Sequence, residues 1–519
     1  MRRLISIFLL FNAFFLVWGQ TTPDSKRNSS WLFGYNGPNT YYVPKYCVSE
    51  VKFDTAGYSI NVVDSFADFS ATVAIACDTS GKRLFSTNGI WLYDRNFNKI
   101  QGSDTLTPGL FGEDWVQSGY FIPQDALILP LPNSDSIYYV FHERLYDTVF
   151  YYGNETEGLY YTTVDVTKNN GLGAVIDWRV PIVQNDTLEH GKLTACRHAN
   201  GRDWWIIVMN RQLNRYRQLL LDVEGLHDFG WQSIVGSALM LPGTGQATFT
   251  PDGKKFLIWS GLDAIHGDYL TSFDFDRCLG ALSNTHQYNF HDSCGTDGIS
   301  VSPNSKYMYS SCGPKLYQYK LDSSDIASTK VLVAVWDGFV DPDFSFGTTM
   351  FYLMGNTPNG KILISTPSST KYLHLIESPN EGGVNCNVSQ HAINLPGFNS
   401  RSMANYPNFL LGAATGTVCD SLNIPQSINP VYESSKPSYT VEAFPNPCSN
   451  YCNISFGTTL KSDGQIEVFD PLGKLIFKSP IQKASLGYTV NTSFWHSGLY
   501  RIVISANQSK LGSVSVVKL

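Results

Sequence analysis

The strongest constraint on the fold is a turn-and-strand unit that recurs along the chain. It is read at Ala76 (ACDTSGKRLFS), Leu131 (LPNSDSIYYVF), Cys196 (CRHANGRDWWIIV), Phe249 (FTPDGKKFLIW), Val301 (VSPNSKYMYSS) and Asn356 (NTPNGKILIST). Each copy opens on a polar turn of Asp, Asn, Ser and Gly, residues that accept positive φ or bond back to their own backbone, and continues into strand formers. Anchored on Ser80, Asn133, Asn200, Asp252, Asn304 and Asn359, successive copies lie 53, 67, 52, 52 and 55 residues apart. A period of about 50 residues suits a four-stranded sheet repeated around an axis. The competing architecture, a pair of β-sandwiches, also has many short strands but does not require that spacing.

The expectation is therefore an all-β chain with a seven-bladed β-propeller over residues 30–412, followed by a small antiparallel β-sandwich. Asn408, in SMANYPNFLLG, lies 49 residues beyond Asn359 and reads as a seventh hairpin that stops early. Its missing outer strands are expected from WLFGYN at Trp31 and VKFDTAGYSINVV at Val51. Such a blade joins both ends of the repeat and leaves no unpaired edge. The SPNSK and TPDGKK turns resemble those of WD-repeat-like and lactonase-like propellers, a resemblance that brings no catalytic residue with it. Residues 413–439, rich in Ser, Pro, Asn and Thr, read as a linker.

The first 19 residues read as a cleaved signal peptide: Arg2 and Arg3, an apolar run from Leu4 to Val17 broken only by Ser6 and Asn12, then Val17-Trp18-Gly19. The run is shorter than the ~20 residues a bilayer span needs, and no later run is longer, so no transmembrane span is expected in the mature chain. Export makes disulfides plausible among the ten cysteines. Cys448 and Cys452 are near enough for a local bridge, and Cys386 with Cys419 would tie the last propeller segment to the linker. The other six read equally well as buried thiols. A net charge of -7 gives no broad positive field for a phosphate backbone, which excludes nucleic acid as an expected partner.

From residue 440 alternation returns in seven short strands, TVEAF, CNISF, GQIEVFD, KLIFKS, GYTVN, GLYRIVIS and GSVSVVKL. Phe444-Pro445-Asn446-Pro447 opens this region, and Val468-Phe469-Asp470-Pro471-Leu472-Gly473-Lys474 makes a central hairpin. Ser497-Gly498-Leu499-Tyr500 leads into a strand, and Lys518-Leu519 closes the sequence. In that order and spacing, residues 440–519 resemble the type A sorting domain of type IX secretion substrates from Gram-negative Bacteroidota. An immunoglobulin-like appendage is the alternative. The resemblance implies that Pro445, Asn446, Pro447, Asp470, Gly473, Gly498, Tyr500 and Lys518 carry a sorting signal. It further implies an outer-membrane translocon as partner and a secreted or cell-surface destination reached through the periplasm. WLFGYNGP, NGIWLYDRN and RHANGRDWW also resemble uncharacterised secreted proteins of the same bacterial group.

Sequence signals for catalysis are sparse. H-E-x-x-H, G-x-S-x-G and Walker-type loops do not occur in the sequence, and no catalytic residue, metal site or cofactor is expected. Arg197, His198, Asn200, Arg202 and Asp203, ahead of Trp204 and Trp205, could line a ligand site, but a polar hairpin tip before a buried strand explains them as well. His286, His291 and Asp292 would need further ligands to hold a metal. Asp341 with Asp343, and Asp322 to Asp325, lack the spaced oxygens of a calcium loop. Two functions remain: a binding protein for a glycan, a peptide or another protein, or a lactonase-like propeller hydrolase.

Overall fold

The computed structural model describes residues 24–36, 46–54, 57–63, 65, 67–145, 156–234, 245–261, 267–290, 298–417, 419–420, 441–457, 459–470, 474–506 and 509–519. The expected signal peptide, and linker residues 421–439, lie outside them. The chain is nearly all-β, with helix confined to short turns such as Leu110–Asp114.

Seven antiparallel sheets follow one another along the chain. Sheet A has three strands, Ser30–Phe33, Val48–Phe53 and Tyr58–Val63. Sheet B holds Thr72–Cys77, Arg83–Thr87 and Leu92–Asp94. Sheets C to G are four-stranded meanders starting at Ala126, Ala195, Ala247, Ile299 and Met354. Each of the six repeat copies falls on the first hairpin of one sheet, from B to G.

The turn chemistry explains why those hairpins repeat. In three copies a hydroxyl at the end of the first strand donates to the Asx side chain two residues on: Thr250 to Asp252 at 2.6 Å, Ser302 to Asn304 at 2.7 Å, and Thr357 to Asn359 at 2.6 Å. The next residue, Gly253, Ser305 or Gly360, takes a positive φ and returns its N–H to that Thr or Ser carbonyl. The strands that follow are buried on both faces, as in Trp204–Met209 and Lys255–Gly261, because a sheet lies on either side.

Apolar clusters bind neighbours face to face. Ala74 and Phe85 of sheet B meet Ile128 and Val140 of sheet C, and Leu127 and Phe141 of C meet Trp204 and Ile206 of D. Comparable clusters join D to E, E to F and F to G. Another gathers Leu363 and Leu373 of sheet G with Trp31 and Phe33 of A and Val73 and Ile75 of B.

The SMANYPNFLLG fragment is not a hairpin. Met403–Ala404 forms a short strand that pairs parallel with Thr72 and Val73, and residues 405–412 make a turn at Phe409–Leu410 but no second strand. Asn408 donates Nδ2 to Pro251 O, in the turn of sheet E, at 2.9 Å, so this segment packs on sheet E and no return strand follows it among the described residues.

The expected Cys386–Cys419 bridge is not formed either: Cys419 is bonded to Cys278. The crossing chain emerges beside sheets D and E, where Ala414 N–H bonds Ala199 O at 2.8 Å, and this brings Cys419 to Cys278. Cys386 stays a buried free thiol in the cluster between F and G. Cys312 is also disulfide-bonded, so neither it nor Cys278 is the free thiol that the sequence equally allowed.

The region from Glu442 forms two further sheets, one of three strands and one of four, in which all seven expected strands appear. Ile454 and Val490 of the first pack on Ile466, Val468 and Ile502 of the second.

Candidate functional site

A cavity of about 370 Å³ lies where the first strands of sheets D to G converge. Its lining includes Gln124, Thr194, Gln246, Thr248, Ser300 and Asn356, the turns at Pro251 and Pro358, and residues 403–408 and 410–412. Among the described lining residues there is no Asp, Glu, His, Lys or Arg.

Three amide side chains span this space. Gln124 donates Nε2 to Ala247 O at 2.9 Å and accepts Ala247 N–H at 2.8 Å. Gln246 repeats the pattern with Met354, at 3.1 and 2.9 Å. Asn405 donates Nδ2 to Ala126 O and Leu193 O, both at 2.9 Å. Each side chain thus satisfies backbone groups of another sheet that would otherwise be buried unpaired.

Residues 405–414 form a strap over this cavity. Tyr406 is half-buried and donates its hydroxyl to Ser30 O, Arg277 donates to Gly412 O, and Ala414 is held by Ala199. The strap runs so close to the turn of sheet D that a Cβ on Gly201, at φ +73°, would collide with Ala413 N.

The polar cluster at residues 197–203 serves this packing. Arg197 stacks 3.8 Å over Trp204 and pairs with Asp24, and Asp203 takes Asn200 Nδ2 and Arg202 Nε, both at 2.6 Å. His198 contacts Cys278 O through Nε2 at 3.2 Å, and Trp204 and Trp205 are buried. His286 stacks on Tyr288, while His291 and Asp292 lie outside the described residues. Asp341 accepts the Asp343 and Lys371 N–H groups, and Asp343 pairs with Lys371 Nζ. Among the described residues no group of three or more His, Cys, Asp or Glu is arranged to hold a metal.

A second cleft of about 860 Å³ lies beside sheets A, B and G. Strand Ser30–Phe33 runs from Asn28, in the central cavity, to Tyr35 and Asn36, in the cleft. The cleft presents Asp68, Trp91, Tyr93, Lys99 and Gln117 as well. Lys99 Nζ sits 3.1 Å over the Trp91 ring, and Trp91 Nε1 donates to Val116 O at 3.3 Å. Burial pushes the Asp68 carboxyl up to about 6, although Asn36 N–H donates to it at 2.7 Å. The segments WLFGYNGP and NGIWLYDRN supply Tyr35, Asn36, Trp91 and Tyr93, but nothing in the sequence joins them to Asp68 and Gln117, which come from separate parts of the chain.

The sequence-predicted sorting residues are brought together in part. Asn446 donates Nδ2 to Ser515 O at 2.9 Å and accepts Val517 N–H at 2.8 Å, clamping the last strand. Pro445 and Pro447 flank it, both in cis peptides. Gly498 pairs with Lys518 across the sheet, and buried Tyr500 donates its hydroxyl to His496 O at 2.9 Å and packs at a tilt against the Trp495 ring, 4.5 Å between centroids. Asp470 accepts Lys474 N–H at 2.8 Å and so shapes the central hairpin, whose Gly473 lies outside the described residues.

A family model described as a secretion system C-terminal sorting domain matches residues 442–518, the span built on these contacts. The chain is a type IX secretion substrate. Its sorting domain implies export, engagement of the type IX machinery, and a secreted or cell-surface location. No helix among the described residues is long and apolar enough to cross a membrane.

Comparison with curated proteins finds no match to this substrate. Among solved structures it is similar to a protein from Lactobacillus plantarum, at 12% identity and TM-score 0.39, covering 72% of this chain and 98% of that one. It is also similar to a quinonprotein alcohol dehydrogenase-like protein from Bacteroides thetaiotaomicron, at 11% identity and TM-score 0.27, covering 73% and 90%. A third is a putative TolB from Agrobacterium tumefaciens, at 13% identity and TM-score 0.28, covering 55% and 87%.

Proposed function

We propose that this type IX substrate is a binding protein, delivered to the cell surface or released. Behind a signal peptide at 1–19, residues 30–412 form a seven-bladed propeller joined by a linker at 413–439 to a sorting domain at 440–519. Sheets B to G supply six blades, with Met403–Ala404 on the inner edge of sheet B, and sheet A supplies the seventh. The apolar cluster that unites sheets G, A and B supports closure of the ring, as does the Tyr406 bond to Ser30.

The strap carries the functional reading. It lies over the central cavity, whose described lining offers amides and hydroxyls, and a hydrolase site on the axis would need an acid, a base or a metal-ligating set there. Ligand capture is thereby assigned to the cleft of Tyr35, Asp68, Trp91, Lys99 and Gln117, where an aromatic ring stands among polar groups. The ligand is a glycan, a peptide or another surface protein. A lactonase-like hydrolase is the second reading.

The test is a glycan and peptide array probed with the full exported chain and with Trp91→Ala. A hit lost in the variant supports the cleft as the ligand site. A hit that Trp91→Ala leaves intact overturns that assignment, and turnover of a lactone by the purified protein overturns the binding reading.

A further inference from the structure

Outside the repeat domain, one pair of reactive side chains stands in the sorting domain with no role so far. Cys448 follows the Phe444-Pro445-Asn446-Pro447 opening, and Cys452 lies four residues on, in strand Tyr451–Ser455. Both are fully buried in the one apolar cluster between the two sheets, both are free thiols, and Cys452 Sγ donates to Pro445 O at 3.7 Å, in the segment that leads to Cys448. Two free thiols four residues apart in one buried cluster are one two-electron oxidation from a bridge.

The backbone of Cys448 gives such a bridge a consequence. Its N–H donates to Val517 O at 2.8 Å, and its carbonyl accepts Leu519 N–H at 3.0 Å. With the two bonds from Asn446 to Ser515 and Val517, the segment 446–448 holds the last strand by four hydrogen bonds. Strand Tyr451–Ser455, by contrast, is anchored in the other sheet, with Cys452 paired to Val490.

We propose that Cys448 and Cys452 are joined by a disulfide during export, locking the segment that grips the last strand to the facing sheet. The inference rests on the export reading, since the oxidising compartment supplies the reagent. The thiolate of one cysteine attacks a protein disulfide donor, the second displaces the mixed disulfide, and the donor leaves as a dithiol carrying two electrons and two protons. The product is a sorting domain whose last strand opens less readily than that of the unexported chain.

The experiment uses full-length protein recovered outside the cell, alkylated under denaturing conditions and digested. The peptide bearing residues 448–452 is expected to be unalkylated and to take two labels only after reduction. Hydrogen exchange at the Val517 and Leu519 amides is expected to speed up on the order of tenfold on reduction, from the chain freedom a short closed loop removes. That change should be absent in Cys448→Ser/Cys452→Ser. Recovery of both residues as alkylated thiols, in molecules whose Cys278–Cys419 bond is intact, would overturn the proposal and leave the export reading standing. Protein retained inside the cell would instead count against export.

Discussion

Gln246 and Met354 hold sheets E and G together across the central cavity: the Gln246 amide gives Nε2–H to Met354 O at 3.1 Å and takes Met354 N–H at 2.9 Å. Gln246 is buried, so neither backbone group of Met354 has water as a ready substitute. Replacing it by Leu leaves one donor and one acceptor unpaired, at a cost of roughly 2–4 kcal/mol. Urea unfolding of Gln246→Leu should show a lowered midpoint with an unchanged slope. Gln124→Leu, which breaks the equivalent clamp on Ala247, should behave alike.

The six hairpins were legible because their information is local: a turn that needs Asx and Gly, followed at once by a strand. The sorting motif was legible for the same reason, as Asn446, Gly498 and Lys518 are each tied to a backbone position by the strand pattern around them. What the sequence hid is non-local. Gln124, Gln246 and Asn405 carry no motif, and only the convergence of several sheets shows what their amides reach. The partner of Cys419 was hidden too, because Cys278 lies 141 residues away in sequence and only the path of the chain past sheets D and E brings the two together. The cleft around Asp68 and Trp91 is likewise assembled from parts of the chain that nothing in the sequence joins.

Stability should depend on pH through buried groups in sheets C and G. Glu143, beside Asp125, has its carboxyl pushed from 4.5 to about 8, chiefly by burial, so the folded chain keeps a proton that the unfolded chain releases. The Glu143 contribution is then greatest below 4.5 and is lost as pH rises through about 8, by at most about 1.4 kcal/mol per pH unit for one proton. From pH 6.5 to 8 Glu143→Gln should remove much of this slope; an equal slope in the variant would contradict the assignment.

Two buried histidines act in the opposite sense, from pH 6.5 down to about 3. Burial holds His374 neutral down to about 4 and His142 down to about 3 in the fold, against 6.5 when exposed. The unfolded chain binds these protons first, so stability falls as the solution is acidified. His374→Gln should flatten the acid limb of the melting temperature.

The Cys278–Cys419 bond anchors the far end of the strap. Reduction, or Cys419→Ser, should expose residues 413–420 to limited proteolysis while the repeat domain stays resistant. Cutting that is identical in the oxidised and reduced proteins would show that the strap is held by Arg277, Ala199 and Tyr406 alone.

The central claim is that the C-terminal domain directs this chain out of the cell. The most direct test removes residues 440–519 and follows the remainder in the producing bacterium by fractionation. Accumulation in the periplasm, with none outside, is the result predicted; export at the level of the intact chain would contradict it.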